Sequence, residues 1–91
     1  MSDASVILHA AFPESLADPG VAAVVRATAE EIAEHEGVEP PSVEVHADRV
    51  ELRGALPDPV LIAIAAQLRR ATGRWHRAKY GAPLWQGDTG A

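Results

Sequence analysis

A chain of 91 residues with 47% apolar side chains is not a disordered one, and its length leaves room for a single small domain whose stability is marginal or borrowed from a partner. Eighteen of the apolar residues are alanine and four are aromatic, so the core is thin; the absence of cysteine excludes disulfides, thiolate metal sites and a thiol nucleophile. The net charge of −5 is divided: ten acids and one base fall in residues 1–48, three acids and seven bases in residues 49–91.

In chain order, Ser5 to Ala10 is short and β-branched near its start, and Pro13 blocks its continuation, which predicts a strand. Val6, Leu8 and Ala10 share one face of it, Ile7 and His9 the other. Asp18-Pro19 then reads as a helix cap followed by a first-turn proline, and Val21, Val25, Thr28 and Ile32 recur at helical spacing up to Gly37, predicting a helix over Pro19 to Glu36. After Pro40-Pro41, Val43, Val45, Val50 and Leu52 alternate with Glu44, His46, Glu51 and Arg53. A turn at Ala47-Asp48 sets Val45 against Val50 and Val43 against Leu52 on the core side, with Glu44 against Glu51 and His46 against Arg49 outside.

Asp58-Pro59 repeats the cap-and-proline pattern, and Leu61, Ile64, Leu68, Ala71, Trp75 and Ala78 form the stripe of a second helix, apolar almost all round in its first two turns. Thr72-Gly73 and Tyr80-Gly81 both offer stops; the stripe runs past Gly73, so the helix is expected to reach about Tyr80. Residues 82–86 suit a short edge strand that tolerates Pro83, leaving Leu84 or Trp85 beside the outer sheet face, and residues 87–91 a loose tail. Nothing divides residues 1–91 into more than one domain. The longest dense apolar stretch, Val60 to Ala66, is far below the ~20 residues of a membrane span. With no basic-then-apolar start, a cytoplasmic location with no membrane partner is expected.

The order strand, helix, strand, strand, helix, with a further strand at 82–86, resembles that of the ferredoxin-like superfold. The resemblance rests on element order alone. It implies an α+β split β-α-β arrangement (βαββα or βαββαβ), with two helices on one face of a small antiparallel sheet, and it implies no activity.

Two surfaces are candidate sites. The outer sheet face collects Ile7, His9, Glu44, His46, Arg49, Glu51 and Arg53, where Arg49 and Arg53 are placed to offset the opposed glutamates within one chain or across a dimer. The C-terminal half of the second helix collects Arg69, Arg70, Arg74, Trp75, Arg77 and Lys79, with no acid between Asp58 and Asp88. At the end of the first helix, Glu30, Glu31, Glu34 and Glu36 oppose the macrodipole, so an acidic and a basic pole are expected. No H-E-x-x-H, nucleophile elbow, phosphate loop or dinucleotide fingerprint occurs, and Glu31 and His35 one turn apart gain no further histidine at that spacing; no metal, cofactor or catalytic group is expected.

The expected function is therefore that of a small non-enzymatic protein-binding module, self-associating as a homodimer and docking on another protein. Its composition suits an accessory or inhibitor protein of a mobile element. The first alternative is nucleic-acid binding by the basic and aromatic segment; the second is a small dimeric enzyme using His9 and His46 as an acid/base pair.

Overall fold

Alternation and turn length build the sheet. Its strands are β1 (Ala4–His9), β2 (Ser42–Val45) and β3 (Arg49–Gly54); α1 (Pro19–Glu36) lies between β1 and β2, and α2 (Asp58–Tyr80) follows β3. The computed structural model describes residues 3–87, so most of the tail expected at 87–91 lies outside the described residues. The molecule is a small α+β fold with a three-stranded antiparallel sheet in the order β1-β3-β2 and two helices. Because β3 is antiparallel to both neighbours, β1 and β2 run parallel on either side of it.

The hairpin register follows the sequence pattern. Val45 pairs with Val50, Glu44 with Glu51 and Val43 with Leu52, and the His46 amide donates to the Arg49 carbonyl at 2.8 Å across the Ala47-Asp48 turn. A two-residue turn leaves a single register in which every valine faces one side. On β1, Val6 pairs with Leu52 and Leu8 with Val50, which completes that apolar face. Val50 and Leu52 are fully buried, and Val6, Leu8, Val43 and Val45 pack against the same core as Leu16, Val21, Val25, Leu61 and Leu68. Both helices therefore lie on this one face.

The helix ends are set by local chemistry. Asp18 Oδ1 accepts the Gly20 amide at 2.7 Å, and Pro19 occupies the first turn, where a missing N–H costs nothing. Gly37, at φ 73°, closes α1: its amide donates to Glu34 and the Val38 amide to Ala33, which satisfies two carbonyls the helix would leave open. Helix α2 runs through Gly73 to Tyr80 and stops at Gly81, φ 70°, as the stripe predicts. Its start differs from the expectation. Pro57 is the cap residue, Asp58 makes no capping hydrogen bond and sits in the first turn, where its charge still suits the macrodipole, and the Pro57 carbonyl takes the Val60 and Leu61 amides.

Three further expectations are corrected. The α2 stripe runs through Leu61, Ile64, Ala65, Leu68, Thr72 and Gly73, while Ala71 and Ala78 are exposed; Ile62 is 57% exposed, so the first turns are not buried all round. The strand over 82–86 is reduced to a bridge between Ala10 and Trp85, held by Ala11 N–H to Leu84 O and Gln86 N–H to His9 O, both 2.8 Å. Leu84 and Trp85 are both in the core and not beside the outer face. The reason is parity: Ala10 shares the inner face of Val6 and Leu8, so the residue opposite it points toward the helices. The Trp85 Nε1–H donates to Thr72 Oγ1 at 3.0 Å and the Thr72 hydroxyl donates to the Leu68 carbonyl, which is why a polar residue occupies the buried stripe.

Candidate functional site

With both helices on one side, the other side of the sheet faces outward. Side-chain alternation and register arrange it in three rows: Ser5, Arg53 and Ser42; Ile7, Glu51 and Glu44; His9, Arg49 and His46. Ile7 is 46% exposed and lies beside Glu51, the centre of the middle row. All seven residues expected on this face are found there.

Of the two arrangements expected for the arginines, the one within a single chain is not found. Arg49 does not offset the glutamates: its Nη1 donates to Asp48 Oδ1 at 2.9 Å, an exposed pair worth only ~0–1 kcal/mol. Among the described residues, Arg53 makes no ion pair with Glu44 or Glu51. The partner that Glu51 does have is His46, with Nε2 3.3 Å from Oε2 across a diagonal of the hairpin. Glu44 completes a group in which one ligand atom from each of Glu44, His46 and Glu51 lies within 4.8 Å of the others. His9 and His46 stand on opposite sides of Arg49, two strand spacings or about 10 Å apart along the sheet, and no hydrogen bond joins them.

The basic segment is differently employed from end to end. Arg69 Nη2 donates to the Gln86 carbonyl at 2.6 Å and so helps tie down the C-terminal segment, as does His76 Nδ1–H to Ala82 O at 2.8 Å. Arg70 and Arg74 are exposed and Arg77 is half-buried. Lys79 Nζ lies 5.5 Å from the Trp75 ring centre and 5.6 Å from that of Tyr80, a cation–π clamp closed within the chain. Trp75 packs on the core and Trp85 is buried, so neither presents the free ring face that base stacking requires; Tyr80, 47% exposed, is the more open ring of the segment.

Among the described residues the acidic end of α1 finds no ion-pair partner. Glu30, Glu31 and Glu34 are exposed and make no ion pair among the described residues, while Glu36 accepts a hydrogen bond from Gln67 at 3.1 Å. Glu36 thus lies beside the first half of α2, and the arginines from Arg70 onward follow along the second half. Among the described residues no helix is long and apolar enough to cross a membrane.

No family model matches the chain and no curated protein matches it, so the reading of these surfaces rests on their geometry.

Proposed function

We propose that the protein is a small binding module on a ferredoxin-like, split β-α-β frame, and that its open sheet face docks on a second copy of the chain. The parallel placement of β1 and β2 about β3, and the Ala10–Trp85 bridge in place of a fourth strand, support that frame. The observation that carries the docking is Ile7, a large apolar side chain 46% exposed in the middle row of a sheet face that no described element covers.

Charge selects the occupant. The chain carries −5, yet its open face sets two glutamates, Glu44 and Glu51, against two arginines, Arg49 and Arg53. Two copies repel one another least through this face, and a two-fold arrangement can lay each arginine row over the other's glutamates. Three strands about 4.8 Å apart, two of six residues and one of four, span at most about 14 by 20 Å, well short of the ~800 Å² per partner of a stable complex, so association is weak and reversible.

Sedimentation velocity tests this. Wild-type protein is expected to shift from monomer to dimer with a Kd of about 100–500 µM. Ile7→Glu, which sets a carboxylate beside Glu51 in both copies, is expected to stay monomeric, and Arg74→Glu with Arg77→Glu to associate like wild type. A wild-type protein that remains monomeric up to about 1 mM, or an Ile7→Glu variant that dimerises unchanged, contradicts the reading.

A further inference from the structure

We propose that Glu44, His46 and Glu51 form a binding site for a divalent ion of the zinc type, held by one imidazole and two carboxylates with its remaining coordination open to water. All three ligands come from one hairpin of one chain, so the site needs no second copy, although the docking proposed above covers the same two glutamates.

The backbone places the ligands before any metal is considered. Glu44 and His46 are two residues apart, so they share the outer face, and the register sets Glu51 directly opposite Glu44. Ligand atoms around a tetrahedral ion at about 2.0–2.1 Å stand about 3.3–3.4 Å apart. His46 Nε2 and Glu51 Oε2 are already at 3.3 Å, and all three ligand atoms lie within 4.8 Å of one another. Glu44, the exposed member of the three, brings its carboxylate within the same 4.8 Å of the other two ligand atoms.

Electrostatics favours the same occupant. Like charges directly opposite on a strand pair are destabilising, and the neighbouring guanidiniums do not relieve them: Arg49 is bound to Asp48, and Arg53 makes no ion pair with either carboxylate. A dication neutralises both glutamates at once. The donor set selects its class, since imidazole suits zinc, cobalt or nickel, whereas calcium takes six to eight oxygens and this face converges two carboxylates and a nitrogen. His35 with Glu31 on α1 is the next pairing of this kind, but no third ligand joins it among the described residues.

The test uses the full chain at about 20 µM, where the weak association proposed above is largely absent. Zn²⁺ is titrated by calorimetry and Co²⁺ by its visible absorption, which reports coordination number. One ion is expected per chain with a Kd in the micromolar range, and the Co²⁺ spectrum is expected to be that of a four- or five-coordinate site. His46→Gln and Glu51→Gln are each expected to weaken binding at least about tenfold, and His35→Gln to leave it unchanged. Thermal melts of every variant in EDTA, expected to match wild type, separate lost ligation from lost folding. Binding weaker than about 1 mM, or binding that His46→Gln and Glu51→Gln leave intact, overturns the proposal.

Discussion

Replacing Trp85 with alanine is expected to remove about 3–5 kcal/mol of stability, the cost of deleting a large side chain from a core that relaxes only in part. Trp85 is 1% exposed and is the largest fully buried side chain of the described residues. A core rich in alanine has few large neighbours with which to fill the space. For a domain of this length total stability is about 5–14 kcal/mol, so the loss is a large share of it. The segment carrying Trp85 is joined to the sheet by a single bridge, with Arg69 and His76 holding its backbone from α2. The effect is therefore one of packing rather than of a lost strand ladder. Thr72→Val separates the two contributions, for it keeps the shape but leaves the buried Trp85 N–H without its acceptor, at an expected ~1–3 kcal/mol. Urea unfolding followed by circular dichroism reads both; a Trp85→Ala loss under about 1 kcal/mol would place the indole outside the core.

The second large effect belongs to the central strand. Leu52→Ala is expected to cost about 2–5 kcal/mol, and Arg53→Ala, one residue further on, to stay within about 0.5 kcal/mol of wild type. Leu52 is fully buried between Val6 and Val43, while Arg53 is on the open face between Ser5 and Ser42. Because side chains alternate, adjacent residues report opposite faces, and a register slipped by one residue would exchange the two results. Unfolding free energies of the two variants decide it, and equal losses would contradict the one-sided sheet.

Much of this architecture is legible in the residues themselves. A two-residue turn between alternating segments allows one register, so the pairings of Val45 with Val50 and Glu44 with Glu51 follow from spacing. Asp18-Pro19, Gly37 and Gly81 mark helix ends by mechanisms that act within a few residues. What periodicity misreads depends on distant partners. Thr72 is polar and lies one residue off the stripe that periodicity predicts, yet it is buried because an indole thirteen residues later needs its hydroxyl. Trp85 turns inward because of the parity of Ala10, a relation that exists only once the last segment is laid beside β1.

The carboxylate–imidazole group shows the same division. Alternation alone puts each of its members on the outer face, and the hairpin register already contains the diagonal from His46 to Glu51. Pairing by charge alone assigns the glutamates to Arg49 and Arg53, whereas Asp48, the neighbour of Arg49 in the turn, takes its guanidinium instead. A search for metal ligands by helical spacing or by a contiguous motif passes over a set assembled across two strands. Reading E-x-H on one strand against a glutamate opposite on the next would have found it.

The isoleucines of the chain, at 7, 32, 62 and 64, allow the most direct test of the proposed face. Methyl-labelled protein is titrated from about 20 µM to about 1 mM with a soluble paramagnetic probe, which broadens each methyl signal according to its exposure. Ile64, 1% exposed, is expected to be protected throughout, and Ile62, 57% exposed, to be broadened throughout. Ile7 is expected to behave like Ile62 in dilute solution and to become protected as concentration rises. An Ile7 methyl as accessible as that of Ile62 at every concentration would contradict the claim that a second copy covers this face.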